Sequence, residues 1–161
     1  MLIAASAALY GLAVWWAASR LPDSDVPMHV DMAGEVDRYA DRAAAINYFV
    51  GLGCFLALLA VAVVCLCRWT PVRFLNVPHK EYWRAPERES VIRGMVVWDS
   101  AVLLSMPLIA LACIPLNIAA LSDTSRAVSP LWILLPVGML LLAMACYLVW
   151  MYRWRYRPAP G

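Results

Sequence analysis

The sequence predicts an all-α integral membrane protein: a single domain of four transmembrane helices in two antiparallel hairpins, with both termini cytoplasmic. Three observations lead there. The 161 residues are 64% hydrophobic with a mean hydropathy of +0.70, whereas soluble domains are about 45–50% apolar. Four apolar segments, 1–19, 44–67, 94–121 and 131–152, each approach or exceed the ~20 residues that cross a ~30 Å hydrocarbon core as a helix. Basic residues gather in alternate connections, which sets the orientation. Strands are not expected, because no apolar segment alternates and an open sheet cannot span lipid.

The first segment, Met1 to Ser19, has a small-residue stretch at Ala17-Ala18-Ser19 that a signal peptidase could use. It lacks a basic leading region and three more spans follow, so it reads as a transmembrane helix. The connection 20–43 carries Arg20, Arg38 and Arg42 against Asp23, Asp25, Asp31, Glu35, Asp37 and Asp41. The connection 68–93 carries Arg68, Arg73, Lys80, Arg84, Arg88 and Arg93 against three acids, and the tail adds Arg153, Arg155 and Arg157. Lys and Arg stay on the cytoplasmic side. The 68–93 loop and the tail are therefore expected inside, and the acidic 20–43 loop and the short 122–129 turn outside.

The second helix is expected to start before the membrane, with Asp37 and Asp41 at its positive N-terminal end. Gly51 and Gly53 allow a neighbouring helix to approach closely. The third is expected to begin near Ala85-Pro86-Glu87-Arg88-Glu89, where proline and acids suit a first turn. It then runs to about Leu121, roughly 35 residues or ~50 Å, with Pro107 and Pro115 loosening it. Pro136 does the same in the fourth helix. Trp15, Trp16, Trp69, Trp98, Trp132, Trp150 and Trp154 fall near span ends as an aromatic belt. The tail from Tyr152 to Arg157 interleaves aromatics with arginines and reads as an anchor to anionic headgroups rather than to nucleic acid.

All five cysteines (54, 65, 67, 113 and 146) lie inside the spans. They suit packing, because no outer loop offers a disulfide framework and Cys65-Leu-Cys67 lacks the second pair of a zinc site. Nucleotide-binding, zinc-protease and serine-hydrolase motifs are absent. His29 and His79 are expected on opposite sides of the membrane, which excludes a shared haem.

Three constellations can carry chemistry. The outer stretch 21–42 is longer than a turn requires, and long loops are often functional. His29 and Asp31 project to one side of an extended segment, and Glu35 and Asp37 repeat that spacing after Gly34. One imidazole with carboxylates can hold a divalent cation such as zinc or manganese, His29 and Asp31 being the ligands, or support acid–base chemistry. Local hydrogen bonds and salt bridges from Arg38 and Arg42 are the structural alternative, and the one favoured here. The cytoplasmic run Asn76-Val-Pro-His-Lys-Glu-Tyr-Trp83 offers His79, Lys80, Tyr82 and Trp83 for docking a cytosolic partner, or forms an interfacial turn that positions the third helix. Asp99 is an intramembrane acid, costly unless an arginine or tyrosine satisfies it.

Within the outer stretch, Leu21, Pro22, Asp23, Val26, Pro27, His29, Gly34, Glu35 and Asp37 form a pattern. It resembles a bacterial membrane family known as domain of unknown function 1648, with Arg42 where that family has lysine. Asn76, Pro78, Lys80, Tyr82, Trp83, Pro86 and Glu87 are similar to the same family's cytoplasmic run, with His79 in place of asparagine. The resemblance covers about residues 1 to 90. It implies kinship with SdpI-type immunity proteins, which protect a cell from its own secreted toxin and signal to a cytosolic repressor. The resulting expectation is a non-enzymatic, multi-pass protein of the bacterial cytoplasmic membrane that needs no cofactor. Its partners would be the lipid bilayer, a toxin peptide outside and a cytosolic protein inside. An accessory subunit of a larger complex, a homo-oligomer and a metal-dependent enzyme built on His29 are the alternatives.

Overall fold

The computed structural model describes residues 1–31, 35–122 and 131–158. Gly34, a candidate partner-binding residue of the outer stretch, and residues 123–129 of the expected 122–129 turn lie outside them. The elements, in order, are α1 (Leu2–Ala18), β1 (Val26–Val30), β2 (Val36–Ala40), α2 (Arg42–Trp69), the single turn α3 (Lys80–Trp83), α4 (Glu89–Leu111), α5 (Cys113–Ser122) and α6 (Leu131–Trp150). A wide helical turn, Met151–Arg155, continues α6. The chain is mostly helical. Three helical runs are long and apolar enough to cross a membrane: Arg42–Trp69, Pro86–Ser122 and Leu134–Arg155. α1 is apolar too but shorter, with 17 residues.

Two expectations about local structure are corrected. The polar connection is a two-stranded antiparallel sheet, not a strandless loop, and Val26↔Ala40 and Val30↔Val36 are paired across it. Val26 and Pro27 are buried at the base of the hairpin, and His29 is exposed further out. Asp37 consequently belongs to β2 and has no place at the start of α2. Asp41 alone caps that helix, its side chain accepting from the Ala44 N–H at 2.7 Å.

The third helix is one helical run, Pro86–Ser122, with a break at Ala112 where loosening by Pro115 is expected. Pro86–Arg88 is a tight turn preceding α4, and α4 ends at Leu111. The cause is Pro115, which has no N–H and whose ring collides with the carbonyl four residues earlier, on Leu111. The chain turns at Ala112 and resumes as α5.

Two buried clusters organise the bundle. At the hairpin end, Tyr10, Ala13, Val14 and Ala17 of α1 meet Leu21, Val26, Ala45, Phe49, Ala112 and Ala119. At the opposite end, Val72, Leu75, Trp83, Ile92 and Tyr156 pack together. α1 packs against α2, α4 and α5, and α2 also against α4. α6 lies on α4, and none of residues 134–150 is buried. Arg93 fastens α4 to the end of α2 by donating to the carbonyls of Arg68 (2.6 Å) and Thr70 (2.8 Å).

Candidate functional sites at the two ends

The hairpin end gathers Asp23, Pro27, His29, Asp31, Glu35, Asp37 and Arg42. Arg42 is its anchor. Its Nη2 donates to the Ala18 carbonyl at 2.7 Å, capping the C-terminus of α1, where cations are favoured. Its Nη1 reaches Asp23 at 3.4 Å, and its backbone N–H donates to the Asp23 carbonyl at 3.2 Å. One side chain thus ties the end of α1, the start of α2 and the approach to β1. Pro27 is buried against this base.

Further out, the strand pairing shifts register on both sides of His29, and such bulges re-aim side chains. His29 Nδ1 meets Asp37 Oδ1 at 2.6 Å, with both side chains more than half exposed. The partner of His29 is therefore Asp37, across the strands, rather than Asp31. Asp31 Oδ1 instead accepts the Glu35 N–H at 2.9 Å, while the Asp31 N–H donates to the Glu35 carbonyl at 2.8 Å. Among the described residues no group of three His, Cys, Asp or Glu side chains is placed to hold a metal ion. What the arrangement offers is an ordered, exposed surface of hydrogen-bonding groups on a pinned base.

At the other end, Asn76 and His79 are exposed and Lys80 is half-buried. His79 takes φ 53°, a left-handed conformation enriched in Asn, Asp and His, and starts the single turn α3. Tyr82 stands edge-on to Trp83 with ring centroids 4.9 Å apart, and the Arg88 guanidinium lies 4.0 Å over the Tyr82 ring. Trp83, a candidate docking residue, is instead buried, and its indole N–H donates to the Tyr156 carbonyl at 3.1 Å. The 76–83 run is therefore held from the C-terminal tail.

That tail also closes around Asp99, which is 1% exposed. The Tyr147 hydroxyl donates to Oδ1 at 2.8 Å and the Tyr156 hydroxyl to Oδ2 at 2.9 Å. Arg155 Nε lies 3.1 and 3.2 Å from the two oxygens. A carboxylate has about four acceptor positions, and these contacts occupy most of them. Burial, and then the bond to the Asp99 carboxylate, push the Tyr156 phenol well above its ordinary pKa, while Arg155 works against that shift. Among the described residues no buried side-chain polar atom lacks a partner. The widened turn at 151–155 sets Arg155 and Tyr156 side by side beneath α4; such turns are frequent at functional sites.

The sequence points to Asp99 and to an arginine or tyrosine partner for it, but does not single out Tyr147, Arg155 and Tyr156. The interleaved tail pattern reads as a headgroup anchor, and nothing in its spacing distinguishes the two residues that turn inward. In the sequence Arg93 likewise stands out only as one of the basic residues of its loop.

Comparison with protein-family models, curated proteins and solved structures gives no match.

Proposed function

We propose that this chain is a non-enzymatic, four-span protein of a bacterial cytoplasmic membrane, of the SdpI-like class, which senses or neutralises an extracytoplasmic peptide through its β-hairpin. The single observation that carries this reading is a set of three polar contacts within the described part of the outer stretch. His29 is engaged by Asp37, Asp31 by Glu35, and Asp23 by Arg42. A pinned, polar, exposed hairpin is suited to recognition of a peptide by its edge and its side chains. In this reading α1 is the fourth span, and the acidic hairpin end faces outward because Lys and Arg are retained inside. α5 packs on β1, so a ligand that moves the hairpin would act first on the joint at Ala112 between α5 and α4. The 76–88 turn, at the inner end of α4, would be where a cytosolic partner responds.

A second reading, an accessory subunit or a homo-oligomer, rests on α6, whose residues 134–150 are all partly or fully exposed.

The test uses a strain deleted for the chain and grown in conditioned medium of its parent. Growth should fail, wild-type protein should restore it, and a His29→Ala/Asp37→Ala variant present at equal level in the membrane should not. A deletion strain that grows like its parent in that medium would exclude the immunity reading.

A further inference from the structure

The two ends of the molecule differ sharply in charge. The end opposite the hairpin holds nine Lys and Arg residues and only four acids, Glu81, Glu87, Glu89 and Asp99. Three of the nine are spent on carboxylates: Arg84 on Glu81, Arg93 on Glu89 and Arg155 on Asp99. Arg68, Arg73, Arg153 and Arg157 are exposed and have no carboxylate partner among the described residues. They come from two distant parts of the chain. The buried cluster that joins Val72 and Leu75 to Tyr156 sets those parts side by side.

A second observation concerns the aromatic side chains between these arginines. Trp69 is 76% exposed, Phe74 66% and Trp154 59%. Each adjoins one of the four arginines in sequence, and the Arg73 guanidinium lies 4.8 Å over the Phe74 ring. Water suits the cations but not these rings; hydrocarbon suits the rings but not the cations. A headgroup layer suits both. Phosphate accepts the forked donors of a guanidinium, and aromatic rings settle at the depth where apolar chains meet polar headgroups.

We propose that Arg68, Arg73, Arg153 and Arg157 form a binding surface for the headgroups of anionic phospholipids in the leaflet at this end, with Trp69, Phe74 and Trp154 setting its depth. The surface requires that the long apolar helices lie in a bilayer; it does not depend on what the hairpin recognises.

The test is reconstitution of the full chain in phosphatidylcholine vesicles that contain a minor share of either brominated phosphatidylglycerol or brominated phosphatidylcholine. Bromine quenches tryptophans it touches, so the ratio of the two quenching curves gives the relative affinity for the anionic lipid. The wild-type chain should favour phosphatidylglycerol, and less so as salt is added. Each arginine changed to glutamine should weaken that preference by up to about fivefold. The variant with all four changed should show none, and the four lysine replacements should keep most of it. Arg157→Gln alone, at an exposed tail position, serves if the quadruple variant does not fold. Equal quenching of the wild-type chain by both lipids would overturn the proposal. So would a preference that survives all four glutamines, or an arginine-dependent affinity for RNA with no lipid preference.

Discussion

Asp99 receives three donors from the last dozen described residues, and the balance of forces there is easy to state. Removing a carboxylate from water costs several kcal/mol, which is recovered only if its oxygens are well bonded. Tyr147, Arg155 and Tyr156 meet that condition. Asp99→Ala would leave the guanidinium and two hydroxyls facing a small apolar side chain. It should lower stability by about 3 kcal/mol, read as a fall in the thermal midpoint in detergent. Tyr156 adds a pH dependence. Its phenol pKa is raised in the fold, so its contribution is complete below the ordinary phenol value near 10 and is lost as pH climbs beyond it. Tyr156→Phe should be less stable at neutral pH, and its midpoint should fall less steeply than wild type above pH ~10. An acid within an apolar segment announces that it needs a partner. Which partner it takes depends on the turn at 151–155, whose extra width has no mark in the sequence.

Between elements, one close approach is at the seam of α1 and α2. The Tyr10 hydroxyl donates to the Phe49 carbonyl at 2.9 Å, which fixes the ring from one end. A Cβ at Gly53 would overlap that ring, whereas one at Gly51 would meet open space. Gly53→Ala should therefore cost about 1–3 kcal/mol of stability, and Gly51→Ala should leave the midpoint unchanged or slightly higher. The sequence marks the two glycines equally. Helical phase separates them: Gly53 shares its face with Phe49 and Ala60, both buried, and Gly51 does not. The hairpin was legible in the same limited way. The alternation in Val26–Val30 is a strand signal, but acids and prolines around it read as loop. The break at Ala112 follows from Pro115, whose steric demand is local and plain, whereas Pro107 is carried within α4 without ending it.

Over the whole molecule, the acidic and basic connections sort to opposite ends because α2 and the α4–α5 run each carry the chain from one end to the other. This much was readable from composition and segment length alone. With the basic end inside, a cysteine at Ser24 in a background free of Cys54, Cys65, Cys67, Cys113 and Cys146 should react with a membrane-impermeant maleimide in intact cells. One at Ser90 should react only after permeabilisation. The reverse pattern would invert the orientation and with it the outward-facing role of the hairpin. Such labelling is independent of the growth test, so a failure of either can be told from a failure of the other.

The closure around Asp99 also sets an order of events in biosynthesis. The carboxylate leaves the ribosome 48 residues before Tyr147 and 56 before Arg155. Throughout that interval α4 carries an acid whose three protein donors do not yet exist. Until α6 and the turn after it have been made, water, a headgroup or the insertion machinery must solvate Asp99, and α4 can take its final depth only when Tyr147, Arg155 and Tyr156 arrive.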